Sequence, residues 1–219
     1  MSAIFPVCEQ VEPNDPNVIA FINKIKKGAK VFIPEKISNP MPLGNCYWNA
    51  NVAAKLKNGK ILTGWSITLW PGSHLTAMHH AVFLGQDGKP YDVTESLPRE
   101  KTNTPDLFVV DNSITINLDK LPFITSKFHE ISDNPLTKKY ISAYLSLNKI
   151  EKMKSDALYN AGFRCEQQKA IAMGKKYQGN IISESELNTI KALEELLNKA
   201  SLNLGRAMID LKHYTASLS

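Results

Sequence analysis

The residues able to do chemistry in this chain fall within one short stretch. Cys46 lies in Gly44-Asn45-Cys46-Tyr47-Trp48-Asn49, followed by His79-His80-Ala81-Val82-Phe83 and then by Tyr91-Asp92-Val93-Thr94. A thiol, an imidazole and a carboxylate in this order offer a nucleophile, a base and a group to orient the base. A free thiol titrates near 8.5, and a helix N-terminus with a neighbouring imidazolium lowers it to roughly 3.5–7.5. Asn45 is a favoured N-cap residue, and the run from Cys46 carries good helix formers until Asn58-Gly59, a C-terminal stop. The thiol is therefore expected in the first turn of a helix, at the positive end of its dipole.

The elements that must bring the imidazole to it read as strands. Residues 60–70 are β-rich and closed by Pro71-Gly72, residues 78–84 form a second strand, Gln86-Asp87-Gly88-Lys89 a turn, and residues 91–94 a third strand. The register decides which histidine meets Asp92. A two-residue Asp87-Gly88 turn pairs Phe83 with Asp92 and puts His79 on the carboxylate's face; a three-residue loop with a bulge shifts the register by one and puts His80 there. Parity alone leaves both open.

The stretch Cys46-x-x-Asn49, Gly64-Trp65-Ser66-Ile67, His79-His80-Ala81-Val82, Asp87-Gly88 and Asp92-Val93-Thr94 resembles the papain-like cysteine-hydrolase superfamily, which includes the NlpC/P60 and transglutaminase-like enzymes, and within it a little-characterised bacterial branch. The resemblance spans roughly residues 40 to 95. It implies an α+β fold, a nucleophile helix packed on an antiparallel sheet, with Cys46 as nucleophile, His80 as base and Asp92 as its orienting partner. It also implies a thioester intermediate on an amide or ester, as in an amidase, a peptidase or a protein deamidase, without a cofactor. An oxyanion would be held by the Cys46 N–H and a second donor, for which Asn45 and Asn49 are candidates. The upstream Gln of papain-type proteases has no counterpart, since Pro40-Met41-Pro42-Leu43 occupies that region. Trp65 and His79 are candidates for the substrate groove; Trp65 and Trp70 differ by an odd number of positions and should face opposite sides of their strand, one core and one beside the site.

Each residue has a plainer reading: a lone cysteine is commonly a buried hydrophobe, one of two adjacent strand histidines must face away, and Asp92 can cap a turn. Cys46, His79, His80 and Asp92 are also zinc-ligand types, but no Cys-x-x-Cys or His-x-x-x-His spacing is present, so no metal is expected.

The chain has 219 residues, 43% hydrophobic and 21% charged, enough for one core and an appendage. Residues 1–135 are read as the catalytic core and 136–219 as a helical C-terminal region, a bundle or hairpin. Asn14-Asp15-Pro16 opens an amphipathic helix that ends at Gly28, and residues 30–33 form a short strand. Residues 107–110 and 113–118 are expected as edge strands between prolines. Helical stripes follow over 140–150, 163–177 and 186–211, the last preceded by Ser183-Glu184-Ser185-Glu186, which resembles a capping box. Thirteen Lys and Arg balance thirteen Asp and Glu before residue 136; after it thirteen stand against eight, so the surplus of +5 lies on the helices. No Arg-rich or aromatic-interleaved motif accompanies that charge, and no nucleic-acid partner is expected. No apolar run approaches the ~18 residues of a membrane span, no Sec signal is visible, and three distant cysteines suit a reducing compartment, so a cytoplasmic location is expected. The partners expected are a protein, peptide or small amide or ester substrate, with self-association or a protein partner through the helices. The alternative to an enzyme is a non-catalytic binding protein on the same fold.

Overall fold

The computed structural model describes residues 6–96, 106–177, 179 and 184–218. The fold is mixed α+β. Helix α1 (Pro16–Ile25) starts where the Asp15 carboxylate accepts the N–H groups of Asn17 and Val18 with Pro16 at the first position, and it buries Val18 and Phe21. Strands β1 (Val31–Phe32) and β2 (Glu35–Met41) lead to helix α2 (Cys46–Leu56). That helix stops because Asn58 takes a left-handed φ of 50° while the Gly59 N–H turns back to the Ala54 carbonyl. Then follow β3 (Lys60–Trp70), β4 (His74–Leu84), β5 (Pro90–Thr94), β6 (Leu107–Val110) and β7 (Lys127–Glu130). Helices α3 (Pro135–Asn160), α4 (Glu166–Ala172) and α5 (Glu184–Ala216) complete the chain.

The seven strands form one sheet in the order β1-β6-β3-β4-β5-β2, with β7 paired to β4. The sheet departs from the antiparallel expectation at one place: β2 runs parallel to β5. Strands β3 and β4 pair along their whole length, from Lys60 opposite Leu84 to Trp70 opposite His74. The other edge of β4 is shared. Strand β7 covers residues 74–77 and β5 covers 83–84, so among the described residues 78–82 have no strand partner on that side. The histidine pair sits in this gap.

Both faces of the sheet are covered. Val18 and Phe21 of α1 pack with Trp65, Ile67, Leu75, Ala77, Leu107 and Val109. Tyr47, Trp48 and Ala50 of α2 pack with Ala81, Cys165 and Ala172, and Ala53 and Ala54 pack with Phe83 and Val93. At the far end Trp70 joins Tyr140, Ala207 and Leu211, and its indole N–H donates to Thr215 Oγ1 at 3.0 Å. Helices α3 and α5 thus form a pair against the sheet, while α4 leaves them to pack on α2.

Several expected elements differ. Residues 113–118 form no strand; Ile114, Ile116 and Leu118 pack on the core from an irregular segment, and the Leu118 carbonyl accepts the Trp48 indole N–H. The helix expected over 163–177 shrinks to the seven residues of α4. Strands β2 and β7 add pairing at positions read as connections. The capping box at Ser183 and the segment around Pro98 and Pro105 lie outside the described residues. Among the described residues, no helix is long and apolar enough to cross a membrane.

Candidate active site

Cys46 is the first residue of α2, and its side chain is half-buried at the helix start. First-turn N–H groups have no intrahelical acceptor, so the Cys46 N–H lies beside its own sulfur at the positive end of the helix. Asn45 holds the N-cap position but does not cap: its amide N–H groups go to the Gln168 carbonyl of α4 at 2.9 Å and to Asn49 Oδ1 at 3.3 Å. Asn49, fully buried, donates to the Pro42 carbonyl at 2.8 Å and to Thr94 Oγ1 at 3.1 Å. Both amides therefore fasten the helix start to its surroundings, and their N–H groups are already engaged by the scaffold.

The β4–β5 register resolves which histidine meets Asp92. Phe83 pairs with Tyr91 and Leu84 with Pro90; the Gly85 N–H then donates to Lys89 O, closing a loop of Gln86-Asp87-Gly88 with Gly88 at φ 78°. This is the register shifted by one, and it puts His80 on the face of Asp92. His80 Nε2 donates to Asp92 Oδ1 at 3.2 Å, and the same ring lies near enough to Cys46 to feel its sulfur electrostatically. Gly64 stands directly opposite His80 in β3, and a Cβ there would approach Val109 O to 2.1 Å and the Phe108 ring to 3.0 Å. Only glycine fits that position.

The electrostatics follow from these neighbours. Burial works against a charge on His80, but the Cys46 sulfur and the Asp92 carboxylate outweigh it and raise the ring's pKa to about 10. At neutral pH the ring holds a proton. Burial likewise works against ionising Asp92, yet the hydrogen bond and charge of His80, together with Lys36, hold it well below the usual carboxylate range. Lys36 Nζ donates to Asp92 Oδ2 at 2.7 Å and to the Thr94 carbonyl at 2.9 Å. Nothing in the local sequence pointed to Lys36, which lies 56 positions from Asp92 on a strand whose residues are mostly exposed.

His79 faces the opposite way. Its Nδ1 lies 2.8 Å from the Tyr47 hydroxyl, its ring meets Trp65 edge to face at 5.0 Å, and its Nε2 is buried without a hydrogen-bond partner. Burial lowers its pKa to about 4, so it is neutral. The contact ties the residue after Cys46 to the residue before His80. Trp65 is 1% exposed, with its indole N–H on Asp111 Oδ2 at 3.1 Å and the Lys127 ammonium 4.3 Å over its ring. Trp65 and Trp70 do face opposite sides, but helices cover both, so neither tryptophan borders a cleft. Among the described residues, no three His, Cys, Asp or Glu side chains are grouped as a metal ion would require.

The arrangement brings a thiol, an imidazole and an ionised carboxylate together at a helix start, with the last two hydrogen-bonded, a combination suited to covalent attack on a carbonyl. No protein-family model, no curated protein and no solved structure matches this chain, so the geometry of the site carries the functional argument alone.

Proposed function

We propose that the protein is a cysteine-dependent hydrolase or acyl transferase on a papain-like fold, with Cys46 as nucleophile, His80 as base and acid, and Asp92 holding the imidazole. The observation that carries the reading is His80, hydrogen-bonded to Asp92 at 3.2 Å and electrostatically coupled to Cys46 at the start of α2. His80 takes the Cys46 proton, so that the ring is protonated and sulfur attacks as the thiolate. Sulfur adds to the carbonyl carbon of an amide or ester, and the developing oxyanion is received by first-turn N–H groups, beginning with that of Cys46. As the C–N or C–O bond breaks, the His80 proton passes to the leaving nitrogen or oxygen. Water or an amine then attacks the thioester and gives a proton to His80, and the C–S bond breaks to restore the thiolate. Hydrolysis, transamidation and side-chain deamidation share the first half of this sequence.

The test is the rate of Cys46 alkylation by iodoacetamide against pH, read by mass spectrometry in the wild type, His80→Ala and Asp92→Ala. Cys165, fully buried with its thiol pushed up to about 11 by burial, is the internal reference. Cys46 is expected to react rapidly below pH 7 and to lose that reactivity in His80→Ala. An unchanged profile in His80→Ala removes the triad.

A further inference from the structure

The chemistry above leaves Lys36 without a part, although it makes the shortest contact to Asp92. It stands opposite Asp92 in the parallel β2–β5 register. Asp92 Oδ1 receives His80 Nε2 at 3.2 Å and the Thr94 N–H at 3.1 Å, while Oδ2 receives the Lys36 ammonium at 2.7 Å. Lys36 also reaches the Thr94 carbonyl at 2.9 Å, so one side chain spans the end of β5. We propose that Lys36 is a positioning residue of the triad: it fixes Asp92 as an ionised acceptor and, by sharing that carboxylate, lets His80 release its proton during turnover.

This rests on the triad reading, and the argument is one of charge. Ammonium, carboxylate, imidazole and sulfur follow one another across the site. With imidazolium and thiolate both formed, four charges alternate in sign and cancel. With sulfur acylated and the ring neutral, Lys36 and Asp92 cancel by themselves. Without Lys36 both states bury an uncompensated carboxylate, which is costly and, in the acylated state, is relieved by keeping the proton on the ring. A ring that keeps its proton cannot take one from the incoming water or amine. The other neighbours of His80 do not supply the missing charge: Cys46 comes from α2, Asp92 from β5, Gly64 lies across on β3, the Phe108 ring of β6 packs at 6.4 Å, and adjacent His79 is neutral.

The test mimics the acylated state by alkylating Cys46 with iodoacetamide and titrating the His80 ring by NMR. In the alkylated Lys36→Met protein the His80 pKa is expected to rise by about one unit, the size expected of one partly screened charge. Lys36→Arg should restore the wild-type value, and in the Asp92→Asn background Lys36→Met should shift it less, because only the direct ammonium–imidazolium repulsion is then removed. Should the Met variant not fold, Lys36→Gln removes the charge and retains a donor for Thr94. No shift in the charge-removing variant, or the same shift in the Asp92→Asn background, overturns the proposal. If His80→Ala leaves Cys46 alkylation unchanged while Lys36 still moves the His80 titration, the triad falls and the coupling stands.

Discussion

Strand β4 carries two histidines on the same face, His74 buried and His80 half-buried, and their surroundings make them opposites. His74 is 1% exposed; Trp70, Phe128 and Tyr140 pack around its ring with centroids 5.3–5.7 Å away. Its Nδ1 lies 2.8 Å from the Ser73 hydroxyl, which in turn lies 2.7 Å from Thr137 Oγ1. Among the described residues no carboxylate hydrogen-bonds to it, Glu130 standing opposite only in the strand register, and burial lowers its pKa to about 4. His80, six positions on, has a thiol and a carboxylate, and its pKa rises to about 10. A hydroxyl beside an imidazole looks like a nucleophile and base when met in a sequence, as Ser73-His74 would. Without an anion to hold the ring's charge in a desolvated site, it is a hydrogen-bonded piece of core. Neighbours, rather than residue type, separate a structural histidine from a candidate catalytic one.

Measurements can sharpen or break this contrast. The largest effect is expected in reactivity: at pH 6, His80→Ala should slow Cys46 alkylation roughly 100-fold, because an unassisted thiol titrates near 8.5, while His74→Gln should leave it unchanged. Equal loss in both variants would erase the contrast. Next comes stability against pH. His74 has a folded pKa of about 4, below its unfolded value, so its contribution is complete above pH 6.5 and lost as pH falls from there toward 4, by on the order of 2–3 kcal/mol. His80 has the opposite sign: its raised pKa stabilises fully below pH 6.5, and that stability is lost as pH rises toward 10. Urea denaturation across pH should show both limbs, with the acid one reduced in His74→Gln and the alkaline one in His80→Gln; unchanged limbs would contradict the burial and contacts assigned to each ring. A smaller effect is expected from Ser73→Ala, which leaves His74 Nδ1 and Thr137 Oγ1 without a partner and should cost about 1–2 kcal/mol in the same assay while sparing Cys46 alkylation. The smallest is expected from Asp133→Asn, which removes the exposed pair with Lys138 and should change stability by less than about 0.5 kcal/mol.

The parts legible in the sequence were those written in local signals. The span of β3, the Pro16 start of α1, the start of α2 at Cys46 and its stop at Asn58 all follow from periodicity, caps and turn residues. The His80 register was one of two that parity allowed; the three-residue loop with Gly88 at positive φ selects it. Strand β2 was hidden because Glu35-Lys36-Ile37-Ser38-Asn39-Pro40-Met41 is mostly exposed and carries a proline, as an edge strand can. The alternation of Ile114, Ile116 and Leu118 misled in the other direction: it records packing on the core, which an irregular segment achieves as well as a strand. Lys36 and the Asn45 contact to α4 are products of tertiary structure, with partners 56 and 123 positions away, and no local pattern encodes them.

That last contact has a consequence in time. The start of α2 is steadied by the Gln168 carbonyl, and the segment leading into α4 is itself anchored by the Cys165 N–H on the Asp119 carbonyl. During synthesis at about 5–20 residues per second, the chain carrying Cys46 waits roughly ten seconds before its buttress exists. Such closure over a long loop is late in folding, so Cys46, His80 and Asp92 are all translated well before they are locked together. The nascent protein is therefore expected to present Cys46 on a helix start that is not yet buttressed, with the short helix α4 the last piece around that start to arrive.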